Sequence, residues 1–149
     1  MSDIFSPEQR SQIMSKIRSG GNRSTELILV KQFRASGITG WRRGFNLFGR
    51  PDFVFPNELV SVFVDGCFWH ACPKHTSLPA TNELFWLQKL WSNQERDRSV
   101  SSRLRACGWR VVRIWEHDLQ QRNIHLAIAR IRRVLSEQRV KQLSERGQC

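Results

Sequence analysis

The stretch DGCFWHACPKH, residues 65–75, sets two cysteines, two histidines, a carboxylate and two aromatic rings into eleven positions. Thiolates and imidazoles are the usual ligands of zinc, which takes four of them in a closed tetrahedral site. Cys67, Cys72 and His75 form a ligand-like cluster that is one short of that number. Cys107, His117, His125 and Cys149 are candidates for the fourth place. His117 is favoured, because it follows the strand-like run RVVRIW and so stands at a strand end, where DGC also emerges if the two strands are parallel neighbours. Cys107 reads as a small core residue near a helix end. The expectation is a structural zinc held by Cys67, Cys72, His75 and His117. His70 falls outside that ligand set, and an imidazole on a loop pinned by metal is a candidate general base.

Carboxylates add a second chemistry. GRPD precedes one apolar run and Asp65 ends the next, so a bend between the two runs could deliver Asp52 and Asp65 to one edge of a sheet. A hard cation such as Mg²⁺ needs oxygen ligands and keeps several waters, so one or two carboxylates and a substrate phosphate suffice to hold it. Taken alone, Pro51-Asp52 is an ordinary turn. Beside Asp65, His70 and the charge of the chain it points to phosphodiester hydrolysis. That charge is large: 24 Lys+Arg against 13 Asp+Glu give a formal net +11 over 149 residues. Such an excess attracts phosphates, and the preponderance of Arg suits bidentate contact with them. No apolar run is long enough to span a bilayer and no export signal opens the sequence, which predicts a cytoplasmic protein without membrane partners and argues against pairing of the four cysteines as disulfides.

The elements that must position these groups are read from periodicity. Length allows one domain, residues 1–149. A basic N-terminal arm, 1–21, carries a short helix capped at Ser6 and closed by Gly20-Gly21. A second helix starts at Ser24/Thr25, runs an apolar face through Leu27, Val30 and Phe33, and stops at Gly37. Glu26 in its first turn suits the helix dipole. WRRGFNLFG, DFVF, LVSVFVD and WRVVRIWE read as three or four strands, with LVSVFV at the sheet centre because both of its faces are apolar. Between the last two strands lie two helical patterns, one with Leu84, Leu87 and Leu90 or Trp91, the other with Val100 and Leu104, closed by Gly108. The result is a βαβ-like crossover. A long covering helix, 124–149, presents Ile124, Ala127, Ile128, Ile131, Val134 and Leu135 on one face.

GRPDFVF, FVDGCFWHACPKH, LPATNELFWLQKLWSNQERDR and GWRVVRIWEHDL together resemble the very short patch repair endonucleases, the Vsr family, over about residues 8 to 120. The resemblance implies an α/β, restriction-endonuclease-like fold of the PD-(D/E)XK type with a mixed central sheet and a structural zinc. It implies nicking of duplex DNA on the 5′ side of the thymine of a T:G mismatch, the lesion left when 5-methylcytosine deaminates. It makes Asp52 the Mg²⁺ ligand, assisted by the backbone carbonyl of Val64. His70 becomes the group that activates water, with Glu26 and Asp97 in support. Phe68, Trp69 and Trp86 match rings that wedge into the duplex, where a mismatched step is cheaper to unstack than a paired one. Val64 stands where the family pattern has threonine, which matters little if only its carbonyl binds metal. Asp65 stands where a histidine can occur, and either joins Asp52 on Mg²⁺ or positions the scissile phosphate. One nick needs only a monomer, and mismatch-repair proteins are candidate further partners. Two other readings fit the same residues: a nuclease of this fold with another DNA target, and a zinc-stabilised DNA-binding module without catalysis.

Overall fold

The computed structural model of the protein describes residues 23–66 and 82–146. The expected arm helix, the loop bearing Cys67, Phe68, Trp69, His70, Cys72 and His75, and the C-terminal Cys149 lie outside the described residues. Helix α1 (Arg23–Ala35) begins beside the expected Ser24/Thr25 cap. Its buried face is Leu29, Val30 and Phe33, whereas Leu27 is 48% exposed. The expected face was thus rotated: Leu29 and Phe33, one turn apart, form the seam. The helix ends as Gly37 anticipates, with φ +68° there and the Ile38 N–H donating to the Phe33 carbonyl across the turn, the six-residue closure that a left-handed glycine allows.

Three strands form one mixed sheet in the order β1 (Phe53–Phe55), β2 (Val60–Asp65), β3 (Arg110–Trp115). β1 and β2 are antiparallel with Phe53 opposite Val62, and β2 and β3 are parallel from Val60–Arg110 to Asp65–Trp115. All six residues of β2 are buried, as its unbroken apolar run requires of a central strand. The expected strand at Trp41 is reduced to a single bridge between Arg42 and Val54. Gly40 and Gly44, both at positive φ, turn the chain away on either side of it.

The crossover from β2 to β3 contains one helix rather than two. α2 (Glu83–Ala106) runs for 24 residues, because nothing between its ends is a glycine or proline. Its buried seam is Trp86, Leu90, Asn93, Ser101 and Leu104. Leu84, Leu87 and Trp91 of the expected face are 77%, 46% and 63% exposed. Cys107, expected in the core, is exposed just after the helix. Past β3, a 3-10 turn (Glu116–Leu119) leads to α3 (Ile124–Arg146), whose six expected apolar residues are all buried. α1 and α3 share one core with Phe53, Phe55, Val62 and Ile114 of the sheet. Phe63, Asp65 and Arg113 alternate to the opposite face, where Arg113 bonds Ser101 of α2. No helix among the described residues is long and apolar enough to cross a membrane.

The turn between β1 and β2 is fastened to α3 by polar groups. Glu58 is 8% exposed and accepts from Arg139 Nε at 3.1 Å, while Gln138 donates to the Glu58 carbonyl at 2.9 Å. Removing the guanidinium leaves a carboxylate mostly out of water, and Arg139→Ala is expected to cost ~1–2 kcal/mol. Glu58→Gln, with no charge to strand, should cost less. Urea unfolding midpoints check the ranking, and equal midpoints for the two variants would contradict it.

Candidate active site

Asp52 is delivered by a tight turn docked on α2. The Arg50 N–H donates to the Leu47 carbonyl at 3.0 Å, and both Gly49 and Arg50 have positive φ, +81° and +51°. A side chain at Gly49 would place its Cβ 2.3 Å from Val100 Cγ1 of α2, so the backbone passes as close to the helix as glycine permits. The Arg103 guanidinium lies over the neighbouring Phe48 ring at 4.2 Å. Pro51 then fixes the chain direction into β1. The Asp52 carboxylate reaches across to β2 and accepts the Val64 N–H at 2.7 Å. Pairing of β1 stops at Phe53–Val62, so this side chain takes the next place along the ladder. The N–H and C=O of a strand residue face the same edge, which puts the Val64 carbonyl on the side of β2 where Asp52 sits.

Burial chiefly, and then the charge of Glu26, a hydrogen bond shared with Glu26 and the charge of Asp65, push the Asp52 carboxyl up to about 7 against the lowering effect of the Val64 N–H. Asp52 in the turn before β1 thus shares a hydrogen bond with Glu26 of α1 and feels the charge of Asp65 at the end of β2. Glu26 does more than cap its helix, since it also pairs with Arg43 at 2.5 Å.

Asp65 is held from β3. Arg113 Nη1 donates to its Oδ1 at 2.9 Å, Nη2 donates to the Asp97 carbonyl at 3.1 Å, and Nε donates to Ser101 Oγ at 2.8 Å. The Asp97 carboxylate is 3.9 Å from the same guanidinium, so Asp97 belongs to this polar cluster between sheet and helix. The sequence reading missed Arg113. Its one signal was a charged residue in an otherwise apolar strand, beside a strand that ends in an acid. Trp86 is 5% exposed and meets Phe85 edge-on at 5.1 Å, with Phe85 39% exposed beside it. His117 lies just past β3, stacked on Trp115 and 3.5 Å from Asp118 Oδ1. The parallel register that sets Asp65 opposite Trp115 brings the ends of β2 and β3 together, the arrangement on which the choice of His117 rested.

Residues 2–76 match the model of the family described as DNA mismatch endonuclease Vsr. The DNA mismatch endonuclease Vsr of Escherichia coli (strain K12) is 38% identical over 128 residues, 82% of this chain and 78% of that protein. The chain belongs to the Vsr family. It is accordingly a DNA endonuclease. Other Vsr-like relatives carry different names. The type II nicking enzyme V.NmeDIP of Neisseria meningitidis serogroup C is 38% identical over 78% of this chain and 80% of its own length. The type II nicking enzyme V.NaeI of Lentzea aerocolonigenes is 55% identical, but over 46% of this chain and only 42% of that enzyme.

Within this Vsr-family site the donor chemistry fits a hard divalent cation. No three His, Cys, Asp or Glu among the described residues gather to hold a metal, so protein carboxylates alone would not enclose one. The Asp52 carboxylate and the Val64 carbonyl, with water and a phosphate, would supply the open, all-oxygen set that Mg²⁺ takes. A carboxyl driven up to about 7, chiefly by burial and then by neighbouring acids, is costly to ionise there without a cation beside it.

Proposed function

We propose that the protein nicks duplex DNA on the 5′ side of the thymine in a T:G mismatch, by Mg²⁺-dependent phosphodiester hydrolysis, and so starts very short patch repair of deaminated 5-methylcytosine. The observation that carries this reading is the half-buried Asp52, hydrogen-bonded to Glu26 and in the field of Asp65 at the end of the central strand, in a chain of the Vsr family. The mixed three-stranded sheet is read as the core of a restriction-endonuclease-like PD-(D/E)XK fold. Basic surface draws in the duplex. Phe68 and Trp69, with Trp86 released from its packing, wedge into the mismatched step, each ring recovering ~1–3 kcal/mol by stacking. Asp52 and the Val64 carbonyl hold Mg²⁺, and Asp65 either joins them or positions the scissile phosphate. When bound there, the ion would neutralise charge developing on the phosphoryl oxygens. His70 takes the proton of the attacking water, and Glu26 and Asp97 raise its basicity. Cys67, Cys72, His75 and His117 hold a structural zinc that fixes the aim of His70 and the wedge. The enzyme acts as a monomer in the cytoplasm, with mismatch-repair proteins as candidate partners.

Two duplexes differing only in one base pair test this, one with a T:G mismatch and one fully paired, each with Mg²⁺ or EDTA. The expected result is nicking of the thymine strand of the mismatch alone, and only with Mg²⁺. The naming of V.NmeDIP and V.NaeI as type II nicking enzymes favours a second reading, a nicking enzyme of the same fold with another DNA target. Equal cutting of the paired duplex supports that one, and binding without cutting supports a DNA-binding module. Chelation of zinc should abolish mismatch nicking while Mg²⁺ remains in excess, and undiminished nicking after verified zinc removal would refute the clamped-loop role.

A further inference from the structure

All three guanidinium nitrogens of Arg113 are bonded within the protein. It stands on β3 opposite Phe63 of β2, and its guanidinium carbon lies 4.3 Å above that ring. Its three nitrogens reach three different partners on two other elements: Asp65 of β2, the Asp97 carbonyl and Ser101 Oγ of α2. Its own carbonyl accepts from Arg130 of α3 at 2.8 Å. One residue thus links the sheet to helices on both faces. In a chain this basic, an arginine facing DNA would be exposed, yet this side chain is 23% exposed and the Asp65 side chain 9%. Asp65 ends β2 and Asp97 lies in α2, the helix of the crossover that follows it, and this planar fork bonds the side chain of one and the backbone of the other. Such a fork, with donors in fixed relative directions, holds two groups in one geometry, whereas an ammonium offers a single point charge.

We propose that Arg113 is a positioning residue of the nuclease site, setting where Asp65 and the Asp97 turn of α2 stand relative to Asp52. This rests on the roles given above to Asp65 and Asp97. Arg113 does not touch the substrate. Its contribution lies in holding the site ready before DNA arrives, the function of groups that orient ligands and bases from behind.

The test uses the full chain, the duplex that the wild type nicks, and Arg113→Lys, which keeps the charge and loses the fork. The rate at saturating DNA is expected to fall about 10–100-fold, with a shifted Mg²⁺ concentration dependence. DNA affinity measured by anisotropy in EDTA should stay within about twofold, because no phosphate contact is lost. A merely structural role would lower the melting temperature and leave the rate per folded molecule and its Mg²⁺ dependence unchanged, and that result overturns the proposal. Asp65→Asn and Asp97→Asn separate this inference from its premise. If both nick as the wild type does, the acids have no catalytic role and both statements fall. If they are impaired while Arg113→Lys is not, only the positioning role falls. Should Arg113→Lys not fold, Ser101→Ala removes one partner of the fork without stranding a charge. A severalfold rate loss at unchanged DNA affinity then supports the proposal, and a wild-type rate overturns it.

Discussion

Asp52→Asn is expected to abolish nicking and at the same time to make the protein more stable at pH 8. Both effects follow from the same burial. The Asp52 carboxyl is raised from 3.8 to about 7 in the folded protein, so the folded state holds a proton that the unfolded state has lost across that interval. Stability falls with rising pH wherever the folded state binds more protons. Asp52 therefore costs nothing near pH 4, costs progressively more as the pH climbs towards 7, and carries its full penalty above it. That penalty is on the order of 2–4 kcal/mol. Asparagine keeps an acceptor for the Val64 N–H and offers Glu26 a donor in place of a competing charge. The melting temperature of the variant should exceed that of the wild type by roughly 5–10 °C at pH 8 and match it near pH 4. Loss of an anionic ligand should lower the nicking rate on the order of a thousandfold or more. Millimolar Mg²⁺ should raise the melting temperature of the wild type at pH 8 and leave the variant unmoved, since a ligand stabilises only the state that binds it. A stability gain equal at pH 4 and pH 8 would show that the ionised Asp52 carboxylate is not its cause, and retained nicking would remove Asp52 from the chemistry.

The parts of this arrangement differ in how openly the sequence displays them. β2 is visible because a strand covered on both faces must be apolar at nearly every position. Its parallel pairing with β3 is visible because a long crossover separates the two runs. α3 is visible because its six apolar residues recur at helical spacing. α2 was misread for a physical reason: its buried seam includes Asn93 and Ser101, and a search for apolar periodicity instead selects Leu84, Leu87 and Trp91, which face outwards. Ser101 in that seam meets Arg113, and the match between Arg113, Ser101 and Asp65 is a property of the packed sheet and helix rather than of any local stretch. The run at Trp41 alternates as a strand does, but Gly40 and Gly44 at positive φ turn the chain on either side and leave only the bridge at Arg42. For the site, GRPD and the acid ending LVSVFVD disclose Asp52 and Asp65, since the turn and the strand that carry them are local. Glu26 is different. As one residue of a helix N-terminus it looks like a cap, and only the tertiary approach of α1 to the turn before β1 brings it against Asp52.

The turn that carries Asp52 is docked on α2 at Gly49, where no side chain fits. Gly49→Ala asks an L-residue to adopt φ +81° and sets its Cβ 2.3 Å from Val100 Cγ1. The backbone conformation costs about 1–2 kcal/mol for any residue with a Cβ, and forcing a methyl into a filled space about 1–3 kcal/mol more. The conflict relaxes only if the turn lifts from α2, and lifting it carries Pro51 and Asp52 away from the Val64 N–H. Gly49→Ala should therefore destabilise by about 2–5 kcal/mol and reduce the nicking rate among the molecules that remain folded. Val100→Ala removes the obstructing methyls. Combined with Gly49→Ala it should recover about 1–2 kcal/mol relative to the sum of the single effects, a coupling expected of two groups in direct contact, together with part of the lost rate. The backbone strain stays in the double variant, so recovery is incomplete. Urea denaturation and single-turnover nicking on the same four proteins read both quantities. Strictly additive stabilities would mean that Val100 is not what Gly49 accommodates. A destabilised but fully active Gly49→Ala would mean that Asp52 keeps its place without this turn, held by the Val64 N–H and Glu26 alone.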